Sequence, residues 1–261
     1  MTYSIAVAGK GGTGKTSLAS LIIRYLVRRG KKPILAIDAD PNANLGEGLG
    51  LRVNQTIGRV IASFNQEKIN IPSGMTKEMY ITYKLNETIV ESGGIDLVTM
   101  GRGEGDDCYC YPNLILRKFM DQLAGNYPYL VMDNEAGMEH LSRRTTSNID
   151  ELLIVSDHSM KGVRTVARIR ELVKELRLDA RRVSVVINLV PGMVNPLIAE
   201  EMARLGLNPI AVIPLDEEIR EYDIQQKPLL GLPDDCQAAV AVNNLTKELL
   251  SGKEMAFADK I

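Results

Sequence analysis

The chain has 261 residues, of which 45 % are hydrophobic and 25 % charged, a composition typical of a globular enzyme. Its formal net charge of −2 at pH 7 gives no case for nucleic-acid binding. No apolar stretch is long enough to span a bilayer, and the N-terminus leads directly into a strand-like segment, without the pattern of a signal or transit peptide. Three cysteines, two of them one residue apart, do not make a disulfide scaffold, so we expect a cytoplasmic protein that acts without a membrane.

The first predicted strand leads into a phosphate-binding loop. Residues 4–8 form a short apolar, β-prone run, and residues 9–16 read Gly-Lys-Gly-Gly-Thr-Gly-Lys-Thr, the complete G-x-x-x-x-G-K-[ST] pattern. A helix is predicted over 16–29, so the loop lies at a helix N-terminus, where unpaired N–H groups and the helix dipole favour a phosphate. The residues that we expect to bind nucleotide here are Gly9, Gly11, Gly12, Thr13, Gly14, Lys15, Thr16 and Ser17.

The loop carries two lysines with different predicted roles. Lys15 reaches the β- and γ-phosphates, and the hydroxyl group of Thr16 can bind Mg²⁺. Lys10 points away from the phosphates of its own loop and is placed to reach the nucleotide of another subunit. This arrangement indicates a nucleotide-dependent homodimer.

The remainder of the chain alternates between predicted strands and helices. Residues 52–93 are less regular and are predicted to hold helices and loops inserted after the second strand. The alternation predicts one α/β domain over residues 1–261, with a doubly wound, mostly parallel sheet flanked by helices. The further strands are predicted over 33–38, 95–100, 129–133, 152–156, 183–188 and 210–213, and the clearest later helix over 162–176.

Acidic residues follow two of these strands, at the edge of the sheet where ligands bind. Asp38 and Asp40, followed by a proline, suit a loop that senses the γ-phosphate and orients a water molecule. Asp133 ends a buried strand, and together with Asp38 and Thr16 it is expected to hold Mg²⁺, directly or through water. The N–H group of Gly137 is expected to contact the γ-phosphate. Taken alone, each acid could equally be a cap or turn residue.

Lys10 with Lys15, the segment Asp38-Ala-Asp40-Pro and the pattern Asp133-x-x-Ala-Gly137 together resemble the deviant Walker A ATPases, such as ParA, MinD and the nitrogenase iron protein. The resemblance implies ATP hydrolysis in a dimer that encloses two nucleotides, with Lys10 on the phosphates of the partner and Asp40 positioning the attacking water. It also implies that Asn188 reads the adenine base and that a segment containing Pro214 closes over it.

A second feature is the segment Cys108-Tyr109-Cys110. A disulfide between these two cysteines would be strained, whereas in an extended segment both sulfur atoms project to one side and can bind a soft metal ion. Two thiolates fill half of a four-coordinate shell, and the same pair from a second subunit would complete it. The alternative is that both are incidental thiols in a loop.

With residues 136–141 (Ala-Gly-Met-Glu-His-Leu), the cysteine pair makes the chain similar to the CooC/AcsF nickel-maturation ATPases. This resemblance implies that Cys108 and Cys110 of both subunits bind nickel, which is inserted into a client enzyme, carbon monoxide dehydrogenase or acetyl-CoA synthase. Zinc would bind the same thiolates, so both the metal and the client stay open.

Two other classes of protein remain as alternatives. An iron–sulfur reductase like the nitrogenase iron protein has widely separated cysteines, unlike the pair found here. A positioning ATPase of the MinD or ParA kind would need a basic amphipathic tail or a basic surface, and residues 245–261 carry mixed charge. Among the remaining candidates, His158 is predicted to be a surface or cap residue and Cys236 a packed thiol, and the roles of Tyr109, Tyr111 and His140 stay open.

Overall fold

The computed structural model describes residues 2–66, 71–102, 110–135, 149–176 and 178–258. These residues form an eight-stranded sheet in the order β3-β4-β2-β5-β1-β6-β7-β8. The described strand pairs are parallel except for the antiparallel pair of β3 and β4 at one edge. The strands are β1 (Tyr3–Gly9), β2 (Ile34–Ala39), β3 (Val90–Ser92), β4 (Ile95–Thr99), β5 (Tyr129–Asn134), β6 (Ile149–Asp157), β7 (Ala180–Val190) and β8 (Pro209–Pro214).

Helices cover both faces of the sheet. The described helices are α1 (Lys15–Arg28), α2 (Leu45–Leu49), α3 (Ile57–Gln66), α4 (Lys77–Asn86), α5 (Cys110–Gly125), α6 (Met160–Glu175), α7 (Pro196–Arg204), α8 (Glu217–Ile224) and α9 (Gln237–Ala258). Alternate residues of the central strand β1 face opposite cores: Ile5 and Val7 pack with α1 and α9, and Ala6 and Ala8 pack with α3, α4, α5, α6 and α7. Burial on both faces explains why β1 reads as a continuous apolar run, and it confirms the predicted doubly wound α/β fold.

The structure differs in detail from the sequence prediction after β2. Residues 52–93 contain the two helices α3 and α4, and they also contain the edge strand β3, which was not predicted. This strand has only three residues, of which two are exposed, so it shows no alternation of polar and apolar side chains. The later strands β6 and β7 are longer than predicted, because charged residues at their N-terminal ends continue the pairing.

The helix α5 begins at Cys110, so the second cysteine of the pair lies in a helix and not in the extended segment that the sequence analysis considered. Across the described part of the chain, no helix combines the length and the apolar character needed to cross a membrane.

Candidate nucleotide-binding site

Two glycines of the loop between β1 and α1 could not carry a side chain without a clash. At Gly14, where φ is +78°, an added Cβ would lie 2.5 Å from Nδ2 of Asn188. At Gly9 it would lie 2.3 Å from the carbonyl oxygen of Val155 on the neighbouring strand β6. These two approaches fix the loop between β1, β6 and β7, and they leave Gly11 and Gly12 exposed.

Side chains of the loop are held by its own carbonyl groups. Thr13 Oγ1 and Lys15 Nζ both donate to the carbonyl oxygen of Lys10, at 2.9 Å and 3.3 Å. Asn188 Nδ2 donates to the carbonyl oxygen of Thr13 at 2.8 Å. Lys15 is buried and lies along the inner side of the loop, whereas Lys10 is partly exposed. The two lysines thus differ in burial, and their separate roles stay predictions.

The strand ends place the acidic residues side by side. Asp38 of β2 pairs in register with Asp133 of β5 and with Thr99 of β4, so these three side chains lie on one face of the sheet. The hydroxyl group of Thr16 on α1 donates to Asp133 Oδ2 at 2.6 Å. Asp38 accepts hydrogen bonds from the N–H groups of Asp40 and Leu45, at 3.1 Å and 2.9 Å.

Both of these carboxyl groups are buried, and burial disfavours their charged forms. It raises the pKa of Asp133 to about 7; the hydrogen bond from Thr16 opposes this rise and the nearby carboxyl group of Asp38 adds to it. Burial likewise raises the pKa of Asp38 to about 6, against the hydrogen bonds from Leu45 and Asp40. Asp133 Oδ1 has no hydrogen-bond partner among the described residues.

These donors fit a hard divalent cation. Carboxylate and hydroxyl oxygens are the ligands that Mg²⁺ prefers, and a positive charge would offset the cost of two buried carboxylates. Thr16, Asp38 and Asp133 are thus brought together as predicted, although their part in binding Mg²⁺ stays a prediction. The same arrangement contains Thr99, which the sequence analysis missed; its buried hydroxyl oxygen has no partner within the described ranges.

Asp40 lies in an exposed turn next to this group. Its Oδ1 accepts from the N–H group of Asn42 at 2.8 Å, and its carboxyl group contributes to the raised pKa of Asp133. Because its carboxyl group is only partly buried, it can reach solvent, as a group that positions water must.

Two predicted base-binding residues line one cavity behind the phosphate loop. Asn188 and Pro214 are joined there by Leu189 and by Asp216, neither of which the sequence analysis singled out. Asp216 begins α8 by accepting from the N–H group of Glu218, and it also accepts from the N–H group of Ala238 in α9. The other residues that line the cavity are Ser17, Leu18, Leu21, Ile213, Ile219 and Val242.

Two further candidates from the sequence have ordinary structural roles here. The buried thiol of Cys236 donates to Asp216 at 3.1 Å, and burial raises the pKa of this thiol to about 11, so it stays protonated. His158 Nε2 accepts from the N–H group of Asn195 at 2.9 Å and ties together the loops that follow β6 and β7. Cys108, Tyr109, Gly137 and His140 lie outside the described residues, so their predicted roles stay predictions.

Comparisons with known proteins agree with this geometry. The family described as the CobQ/CobB/MinD/ParA nucleotide binding domain matches residues 4–229. An uncharacterized ATP-binding protein of Methanocaldococcus jannaschii is 41 % identical over 95 % of this chain and 99 % of its own length. The carbon monoxide dehydrogenase accessory protein CooC of Rhodospirillum rubrum is 30 % identical over 66 % of this chain and 69 % of its own length.

A solved structure of similar fold is the ParA family ATPase from Chlorobium tepidum. It superposes with a TM-score of 0.72 over 94 % of this chain and 98 % of its own, at 18 % sequence identity, which shows a shared fold. The phosphate loop, the paired carboxyl groups at the strand ends and these matches lead to one conclusion. The chain belongs to the CobQ/CobB/MinD/ParA family of P-loop nucleotide-binding proteins.

Proposed function

We propose that this protein is an ATP-dependent, homodimeric metallochaperone that binds nickel between its subunits and delivers it to a client metalloenzyme, carbon monoxide dehydrogenase or acetyl-CoA synthase. The observation that carries the proposal is the pair Cys108 and Cys110 in the sequence, of which Cys110 begins α5. Two thiolates from each subunit of a two-fold dimer would complete a four-coordinate site for one soft metal ion.

The relationship to CooC supports the choice of metal and client. That relative is named as an accessory protein of carbon monoxide dehydrogenase, and its identity to this chain reaches 30 %. We transfer an accessory role of the same kind to this protein because the cysteine pair supplies the soft ligands that such a role requires.

A continuous set of contacts connects the acidic residues of the ATP site to the segment that leads to the cysteines. The N–H group of Met100 donates to the carbonyl oxygen of Asp38, and the N–H group of Gly58 donates to that of Met100, both at 2.8 Å. An added Cβ at Gly58 would lie 2.2 Å from the carbonyl oxygen of Arg102, so α3 packs directly on this segment. A movement of Asp38 at the end of β2 would therefore be transmitted toward Cys108.

The residues of the loop define the expected ATP cycle. Lys15 and the N–H groups of the loop would bind the phosphates. Mg²⁺ would be held, directly or through water, by Thr16, Asp38 and Asp133. When bound, the ion would offset the charge of the phosphates. Lys10 would contact the phosphates of the partner subunit and favour the closed dimer. Asp40 would position the attacking water, so that hydrolysis returns the dimer and its thiolates to the open arrangement. Coupling of this kind requires that nickel affinity differs between the two states.

The test is an anaerobic nickel titration, with size-exclusion chromatography, of the wild type and of the Cys108→Ala/Cys110→Ala variant. We expect one tight nickel ion per two chains in the wild type and loss of that site in the double variant. Cys236→Ala is the matched control, because its thiol lies within 4.8 Å of the Asp216 and Glu218 carboxyl groups and could bind metal adventitiously.

A tight site that survives the double substitution, or no tight site, would contradict the nickel proposal. The ATP-dependent switch would then favour the alternative of a positioning ATPase, whose fold this chain shares with the ParA family. A brown, redox-active protein as isolated would instead favour an iron–sulfur reductase.

A further inference from the structure

Helices α6 and α7 lie side by side and run in the same direction. His158, just before α6, accepts a hydrogen bond from the N–H group of Asn195, the N-cap residue of α7. Further along, Arg164 Nε of α6 donates to Glu201 Oε1 of α7 at 2.7 Å. Both pairs are 37 residues apart in the chain, so each residue of α6 lies about level with the residue 37 positions later in α7.

The first half of α6 presents cations to solvent. The part of the helix up to Arg168 contains Lys161 and Arg164 as well, and it contains no acidic residue. The spacing of three and four residues places these side chains on one side of the helix, and all of them are exposed. On α7, the exposed Arg204 belongs to the same surface, because Glu201 accepts hydrogen bonds from both Arg164 and Arg204.

The cations of α6 oppose the local electrostatics of their own helix. The N-terminal end of a helix carries a partial positive charge, which disfavours Lys161 in the first turn. Among the residues that the structure describes, Lys161 and Arg168 have no ion-pair partner. The two acids of α7, Glu200 and Glu201, leave the four cations of the two helices in excess. Side chains that disfavour their own helix and are not paired within the fold are expected at functional sites.

Exposed apolar side chains lie at the N-terminal end of both helices. Met160 of α6 is level with Leu197 of α7, and these two residues are 37 % and 65 % exposed. Met193, in the loop before α7, is 89 % exposed. Single exposed apolar residues are common, but a group of them beside arginines is typical of a surface that binds protein. The surface, which we call the α6–α7 face, consists of Met160, Lys161, Arg164, Arg168, Met193, Leu197 and Arg204.

We propose that the α6–α7 face is a docking surface for an acidic, amphipathic segment of a partner protein. Met160, Met193 and Leu197 would cover the apolar residues of that segment, and the cations beside them would pair with its carboxylates. The excess of positive charge selects an acidic partner, because like charges across an interface are repelled. This inference goes beyond the proposed function and depends neither on nickel nor on the cysteine pair.

The mixture of charged and apolar side chains favours a protein over other anionic partners. A nucleic acid binds through its phosphates, which would leave the apolar end of the face without a partner and would meet Glu200 and Glu201. A helix that binds an anionic membrane carries a continuous apolar stripe. In α6, cations separate Met160 from Leu172, the next exposed large apolar residue of the helix.

The test is fluorescence anisotropy on the full-length protein with a labelled helical peptide made of glutamate, leucine and alanine. Lys161→Glu/Arg168→Glu should weaken binding by about tenfold, because two attractions become repulsions. Its thermal midpoint should stay or rise, since an acidic side chain suits the first turn of a helix. Met160→Ser/Leu197→Ser should weaken binding by about tenfold through the loss of apolar contact.

Lys77→Glu/Lys247→Glu is the control with the same change of charge. Both lysines are exposed, and Lys77 also begins a helix, so this variant should bind the peptide within about twofold of the wild type. Equal weakening in the control, or no binding of the peptide to the wild type, would overturn the proposal. Tighter binding of a DNA duplex or of phosphatidylserine vesicles than of the peptide would overturn it as well. So would the loss of ATP-driven dimerisation in Lys161→Glu/Arg168→Glu, because the face would then join two copies of this chain.

Discussion

Thr16 on α1 donates a hydrogen bond to Asp133 at the end of β5, with 2.6 Å between Thr16 Oγ1 and Asp133 Oδ2. The hydrogen atom of the Thr16 hydroxyl group points at the carboxyl group of Asp133, so the hydroxyl oxygen keeps its lone pairs for another partner. The contact thus orients one expected Mg²⁺ ligand by means of another. It also joins the helix of the phosphate loop to the strand that precedes Gly137.

The raised pKa values of Asp38 and Asp133 predict how stability depends on pH. The folded-state values of about 6 and about 7 lie above the ordinary 3.8, so the folded state binds more protons than the unfolded chain between about pH 4 and pH 7. This contribution is therefore present at low pH and is lost as the pH rises. We expect the free energy of unfolding to fall by a few kcal/mol across this window, and Mg²⁺ to restore part of it at about pH 8.

Urea denaturation of the nucleotide-free protein, with and without Mg²⁺, measures this dependence. Asp133→Asn is the control, because its amide cannot ionise: it should reduce the pH dependence to the part that comes from Asp38 and weaken the response to Mg²⁺. The same pH slope in the wild type and in this variant would show that the buried carboxyl group of Asp133 is not its source.

The two lysines of the phosphate loop should give different phenotypes. Lys15→Ala removes the buried ammonium group beside the Lys10 carbonyl and should weaken ATP binding by about a hundredfold or more. Lys10→Ala removes a partly exposed side chain and should leave ATP binding to the monomer intact while blocking ATP-driven dimerisation. Calorimetry and light scattering with chromatography would measure the two steps separately. A Lys10→Ala protein that dimerises normally with ATP would disprove the role of Lys10 across the interface.

Much of the nucleotide site could be predicted from the sequence because its signals are local. Strand, glycine loop and helix follow one another in the chain, and the acids come directly after apolar strands. In a parallel sheet these strand ends meet at one edge, which is why Thr16, Asp38 and Asp133 were expected to lie together. The structure confirms this convergence through the register of β2 and β5.

What the sequence did not predict depends on geometry between distant segments. Nothing in the run Ile187-Asn188-Leu189-Val190 signals the bulge that β7 forms there against β8, because the left-handed residue is a leucine and not a glycine. Thr99 became part of the site only through its pairing with Asp38. The sequence places Asp216 shortly after a predicted strand. Its hydrogen bond from the N–H group of Ala238 in α9 joins residues 22 positions apart, so nothing in the sequence signals that contact.

Asp40 should be needed for ATP hydrolysis and not for folding. Its carboxyl group holds the N–H group of Asn42 in an exposed turn, so Asp40→Ala should change the free energy of unfolding by only about 1 kcal/mol. We expect this variant to bind ATP, to dimerise and then to remain as a stable ATP dimer because no group positions the water. Phosphate release and dimer lifetime measure this. Asp40→Asn is the control for the turn, because its side-chain oxygen can still accept from the N–H group of Asn42. Normal hydrolysis by Asp40→Ala would remove Asp40 from its proposed role.

Gly58 should connect the ATP site to the cysteine segment mechanically. A methyl group at this position would lie 2.2 Å from the carbonyl oxygen of Arg102 and 3.1 Å from that of Met100, so Gly58→Ala must displace either α3 or the segment toward Cys108. We expect a loss of about 2 kcal/mol of stability, weaker nickel binding and unchanged affinity of the monomer for ATP. Gly125→Ala is the matched control, since a Cβ there would meet nothing within 4 Å. Chemical denaturation and the anaerobic nickel titration would be run on both variants. If Gly58→Ala is destabilised but binds nickel as tightly as Gly125→Ala, the contact between α3 and Arg102 supports the fold without setting the position of the cysteines.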